Sequence, residues 1–175
     1  QFILNENERL KKIVDDYVVN TNEVVAKILI DKDSPFLRSL VINKGSKDNV
    51  KLGMSVLDGL YLVGKVVEVN YLSSRILLLS DLNSKIPIII EPGGIQSILS
   101  GTGKNDGVIQ YFKENQNISD KNTIYTSGSG GLFKSGIPIG TIEISVVNNE
   151  KKVNFYSDFS QLKFVKVVSF ENQAE

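Results

Sequence analysis

Apolar and polar positions fall into two textures along the chain. Over the first twenty residues the apolar positions recur at helical spacing, and from Val24 onward they come in short runs broken by turn residues. In "QFILNENERLKKIVDDYVV", Ile3, Leu10 and Tyr17 lie seven residues apart, and Asn7 and Val14 lie four after the first two. This spacing predicts an amphipathic helix with a two-heptad seam. An Asn at an a position fixes register in a parallel two-stranded coiled coil. The segment 1–20 is therefore expected to be a coiled-coil stub, with Ile3, Asn7, Leu10, Val14 and Tyr17 as the seam of a homodimer. The other course open to such a helix is to lie on its own globule.

The second texture predicts strands at 24–30, 37–43, 54–57, 61–69, 75–79 and 86–90, then at 95–100, 107–113, 123–126, 139–146, 151–156 and 162–170. Between them stand turn signals such as Asp33-Ser34-Pro35, Asp58-Gly59, Pro92-Gly93-Gly94 and Asn148-Asn149. Many short strands at this spacing belong to small barrels or sandwiches.

The strands repeat. "LVINKGSKDNVKLGMSVLDG" has the element order of "VIQYFKENQNISDKNTIYTSG" about 69 positions later, and Gly64 and Ser80-Asp81 match Gly140 and Ser157-Asp158 about 76 or 77 positions later. The expected fold is mainly β: two small β-barrel modules of similar topology, near 24–93 and 94–171, preceded by the helix. The C-terminal strand completes either the second module or the first.

Within the repeat the offset jumps by seven residues at one connection, in "GSGGLFKSGIPIGTIE". Gly128, Lys134 and Ser135 imitate a phosphate-binding loop, but Phe133 replaces the required Gly and a strand, not a helix, follows. Gly101-Thr102-Gly103 with Gly107 misses the dinucleotide spacing by one residue and reads as a turn. The stretch is better read as an enlarged hairpin loop whose glycines supply positive φ. Gly128, Gly130, Gly131, Leu132, Phe133 and Gly136 are thus the candidate loop, shaping either a barrel junction or a partner contact.

Composition narrows the chemistry. Twenty basic residues balance twenty acidic ones with no basic stripe, so a nucleic-acid partner has no electrostatic footprint. With neither His nor Cys, zinc, haem, iron–sulfur and thiol chemistry drop out, as does a Ser-His-Asp triad. No tight acidic cluster suggests a metal, and no cofactor is expected. What remains for an enzyme is a degenerate chymotrypsin-like hydrolase, using Ser129 with Lys134 or the carboxylates Asp120, Glu143 and Asp158. Each of these has a plainer role as a loop or turn residue. A ligand-binding barrel ranks lower still, because the six Tyr and eight Phe are scattered along the chain and Trp is absent. No apolar run of about 18 residues spans a bilayer. The chain, opening at Gln1 almost in mid-helix, is expected to be the soluble part of a longer protein.

Together, "DSPFLRSLVINKGSKDNVKLGMSVLDG", "LVGKVVEVNYLSSRILLLSDLNSKIPIII" and "GSGGLFKSGIPIGTI" resemble the MreC family of bacterial rod shape-determining proteins. The resemblance runs from the helix to "DFSQLKFVKVVSF" and departs at Lys134, where the family string has Pro. It implies a non-catalytic scaffold of the cell-elongation machinery, held in the cytoplasmic membrane by a single-pass anchor that these residues do not include. This region would be extracytoplasmic. It also implies a homodimer with further self-association, and partners in MreD, the MreB complex, RodA and a penicillin-binding transpeptidase that builds peptidoglycan.

Overall fold

The computed structural model describes residues 21–29, 39–110, 118, 121–129 and 133–170. The expected helix and its seam, Ile3 to Tyr17, lie outside the described residues.

The described residues form twelve strands. They are β1 (Thr21–Leu29), β2 (Ser39–Ile42), β3 (Ser55–Asp58), β4 (Tyr61–Val69), β5 (Ser74–Leu78) and β6 (Lys85–Glu91), followed by β7 (Ile95–Gly101), β8 (Gly107–Gln110), β9 (Thr123–Thr126), β10 (Pro138–Ile144), β11 (Lys151–Phe155) and β12 (Phe164–Phe170). Strand formation follows the alternation in the sequence. In β6 every second residue (Ile86, Ile88, Ile90) is fully buried, while its neighbours face outward.

Two closed barrels result, with strand orders β1-β12-β3-β4-β5-β2 and β10-β11-β8-β7-β6-β9. Every pairing is antiparallel. Laid side by side, the orders are the same ring. β1 to β5 correspond to β7 to β11, and β12 stands where β6 stands. The second barrel is continuous in sequence. The first is a circular permutation of it, closed by a strand from the far side of the second barrel.

Two details of the repeat recur at atomic level. Gly64 pairs with Leu78 in β5, and Gly140 pairs with Phe155 in β11. A Cβ at Gly64 would lie 2.3 Å from the Leu77 carbonyl oxygen, and one at Gly140 would lie 2.1 Å from that of Asn154. Only glycine permits this close strand approach. The Ser-Asp pairs that follow β5 and β11 mark the two crossings between barrels. At each crossing the Asp Oδ1 accepts a bond from the backbone N–H two residues on: Asn83 to Asp81 at 2.7 Å, and Ser160 to Asp158 at 3.0 Å.

The boundary expected at 93/94 is corrected. β6 pairs with β7 and β9, so Pro92-Gly93-Gly94 is a hairpin turn inside the second barrel. The chain crosses between β5 and β6, in a short segment where Ser80, Asp81 and Ser84 are buried. Gly and Pro mark a hairpin and a linker alike, which is why composition misplaced the division. β12 stands in the first barrel, between β1 and β3.

One hydrophobic cluster fills the first barrel, around Ile42, Val56, Val66, Ile76 and Val167. The other fills the second barrel and reaches out of it to take in Leu57, Leu62 and Val168 of the first. The barrels therefore share packed core at their junction.

Candidate functional site

The glycine-rich loop lies between β9 and β10, at the junction end of the second barrel. Thr126 anchors its base. Its Oγ1 donates to the Lys134 carbonyl at 2.5 Å and accepts from the Ile137 N–H at 3.0 Å, while its own carbonyl accepts from the Gly136 N–H at 2.9 Å. Gly128 and Gly136 adopt φ of 77° and 89°, a region where only glycine is unstrained. This turn chemistry returns Phe133 to the protein. It is 7% exposed and sits in the cluster that joins Leu57, Leu62 and Val168 to the second barrel. Gly130, Gly131 and Leu132 lie outside the described residues.

Ser129, Glu143 and Asp158, named above for a hydrolase, are each engaged by a nearby partner. The Ser129 N–H donates to Ser127 Oγ at 3.2 Å within the loop. Glu143 accepts from Asn154 Nδ2 at 2.9 Å on the outer face of the β10–β11 hairpin. Asp158 caps the 3-10 turn Phe159–Gln161, accepting the Ser160 N–H at 3.0 Å and the Ser160 hydroxyl at 2.6 Å. These bonds, the hydroxyl's first, hold its carboxyl below the usual carboxylate value. Asp120 lies outside the described residues. Among the described residues no group of three Asp or Glu is placed to hold a metal ion.

What folding does bring together is an aromatic surface. Tyr61 opens β4 in the first barrel, and Tyr156 follows β11 in the second. Their ring centroids are 5.0 Å apart at an interplanar angle of 36°. Tyr125 of β9 lies near enough to act on Tyr156. Burial first, then the Tyr125 and Tyr61 hydroxyls, push Tyr156 above the ordinary phenol value. Tyr61 is 40% exposed, Tyr156 39%, and Leu60 beside them at the β3–β4 turn 53%. Beneath this surface Ser157 Oγ donates to Asp58 Oδ2 at 2.6 Å, a bond from one barrel to the other.

Beside Tyr156 a cleft of about 280 Å³ opens. Phe155 and Phe159 line it, stacked at 4.8 Å and 19°, and Asn105, Asn154 and Asp158 add polar groups. The expectation that the aromatic residues are scattered holds along the chain and fails in space. Residues 61, 125 and 156 have no spacing that signals a site. Only the ring order, with β4 meeting the second barrel, assembles them.

Among the described residues no helix is long and apolar enough to cross a membrane. The family model "Rod shape-determining protein MreC, barrel core" matches residues 28–169. A relative from Cereibacter sphaeroides, "Cell shape-determining protein MreC", is 28% identical over 145 residues, covering 83% of this chain and 48% of its own. The chain thus spans about half the length of the first curated relatives it matches. The crystal structure of MreC from Pseudomonas aeruginosa superposes with a TM-score of 0.77 at 27% identity, covering 85% of this chain and 99% of that one. The fold also recurs, at TM-score 0.63 and 13% identity over 85% of this chain and 99% of the other, in a structure described as a complex between a penicillin-binding protein and MreC from Helicobacter pylori. Two barrels, one a circular permutation of the other and joined through a cluster that takes in the glycine-loop phenylalanine, are thus the barrel core of a known family: this chain belongs to the MreC family.

Proposed function

We propose that this chain is the extracytoplasmic barrel region of a non-catalytic scaffold in cell-shape maintenance, which organises peptidoglycan-synthesis enzymes. The observation that carries the reading is the tyrosine surface at the junction. Tyr61 and Tyr156 are exposed and Tyr125 partly buried, aromatic groups backed by shared core, the composition and rigidity of a protein-binding hot spot. The Helicobacter pylori relative, seen with a penicillin-binding protein, supports a transpeptidase as the partner class. The mechanism is positional. A rigid surface that binds one arrangement of an enzyme better than another shifts its population by that difference in affinity. MreD, the MreB complex and RodA are further partners in this reading, reached through a single-pass membrane anchor outside these residues.

Capture of the host's class B penicillin-binding protein by the immobilised chain tests it. Tyr61→Ala and Tyr125→Ala are each expected to weaken capture by about tenfold or more, the loss of a hot-spot side chain. Undiminished capture by both variants would remove the junction from the proposal, and no capture by the parent would remove the partner.

The seam Ile3, Asn7, Leu10, Val14 and Tyr17 is proposed to pair two copies. Sedimentation velocity across concentration is expected to find a dimer for the parent and a monomer for Leu10→Asp. Two monomers would refute the seam.

A further inference from the structure

The cleft beside Tyr156 has chemistry that protein capture does not use, and we propose that it binds a neutral oligosaccharide. Its lining combines aromatic residues, two of them packed partly into the core, with residues whose side chains give and take hydrogen bonds. Phe155 and Phe159 form one stacked block, and Tyr156 adds a third aromatic group. Asn105, in the β7–β8 turn, and Asn154, in β11, supply carboxamides, and Asp158 supplies a carboxylate. A sugar ring has the matching surface: a face of C–H groups that packs on an aromatic plane, and a rim of hydroxyls that both donate and accept.

Charge selects among ligands. Among the described residues no lysine or arginine lines the cleft. Asp158 is held ionised by the Ser160 N–H and hydroxyl, both of which reach Oδ1. Among the described residues no donor is found on Oδ2, which leaves an ionised acceptor suited to a hydroxyl pair and unfavourable to phosphate or any other anion. Size selects further. The volume of about 280 Å³ is at the lower edge of roughly 300–1,000 Å³ for small-molecule sites, suited to one ring held with its neighbours extending into solvent.

The polar groups are also pre-set. Asn154 Nδ2 is fixed by its 2.9 Å bond to Glu143, and the Asp158 carboxylate is fixed by its own cap. Such groups lose little freedom on binding, which favours a weak ligand. The site goes beyond the scaffold reading and shares only Tyr156 with the tyrosine surface proposed for protein capture, while Asn105 and Asp158 stand outside that surface.

The test is an amide-resolved NMR titration of the whole chain with N-acetylated chitotriose and with maltotriose, each to about 10 mM, a range that detects Kd values near 1 mM. Saturable shifts confined to residues 102–106 and 154–160 are expected with at least one sugar. Asn105→Ala and Asp158→Asn, both exposed and the second keeping the cap acceptor, are each expected to weaken binding about tenfold while the remaining spectrum stays unchanged. Inorganic phosphate is expected to leave these resonances still. No saturable shift with either sugar would overturn the proposal, as would binding indifferent to both variants. An equal response to phosphate, or shifts at these residues produced only by a penicillin-binding protein, would overturn it too.

Discussion

Gly140 and Thr126 show how much of this fold rests on single side chains, or on the lack of one. A methyl group at Gly140 would lie 2.1 Å from the Asn154 carbonyl oxygen, a backbone atom that cannot swing aside. Gly140→Ala is expected to cost about 1–3 kcal/mol, the usual penalty of overpacking, read as a lowered midpoint in denaturant unfolding. Thr126 is fully buried, and its hydroxyl both donates and accepts at the base of the glycine loop. Thr126→Val keeps the shape and removes the hydroxyl, leaving the Ile137 N–H and the Lys134 carbonyl without that partner. A loss of about 1–3 kcal/mol is expected by the same measurement. Asp158 adds a pH dependence. Its folded value lies below 3.8, so its contribution is complete above the unfolded value and is lost as pH falls through the lower folded one. Ser160→Ala is expected to return the carboxyl toward 3.8, measurable by NMR titration of the side-chain carbon.

At the scale of elements, the enlarged β9–β10 loop distinguishes the two halves of the repeat. The first barrel makes the equivalent connection with Gly59 and Leu60 alone, and the second spends the extra residues on sending Phe133 into the shared cluster. The Asp58–Ser157 bond and the Tyr61–Tyr156 contact cross the same junction from the opposite chain direction. A double-mutant cycle on Tyr61→Ala and Tyr156→Ala is expected to give a coupling of about 0.5–1.5 kcal/mol, typical of an aromatic pair, although the residues are in different barrels. A coupling of zero would mean that the barrels touch without supporting each other. The strands themselves were legible in the sequence, because alternation such as Ile86, Ile88, Ile90 records burial directly. The loop was legible as an insertion, since Gly64 and Gly140 set the frame. The junction was not. Pro92-Gly93-Gly94 and Ser80-Asp81-Leu82-Asn83-Ser84 have similar turn chemistry, yet one closes a hairpin and the other joins barrels. The tyrosine surface was illegible for a related reason. Its members come from two strands and the residue after a third, in different barrels, and their adjacency is set by barrel closure and docking, a long-range property that no local window contains.

At the scale of the molecule, the shared cluster predicts one cooperative unit. Phe133→Ala removes a buried ring that packs with residues of both barrels, at an expected cost of about 3–5 kcal/mol. Probes placed in each barrel are expected to lose signal together, at the same lowered temperature. Two separated transitions would show that the barrels melt independently. The permutation has a further consequence, which concerns time. In a chain synthesised or exported from its N-terminus, β1 to β5 appear first among the described strands but cannot close, because the strand that seals β1 to β3 is the last of these to emerge. The second barrel, contiguous from β6 to β11, is complete before it. During that interval the first barrel holds two unpaired strand edges, the condition under which β proteins pair with the wrong neighbour. Of the two barrels, the one whose first strand is made earlier is therefore the one that finishes later, and its protection until β12 arrives is a demand that this fold places on the cell that makes it.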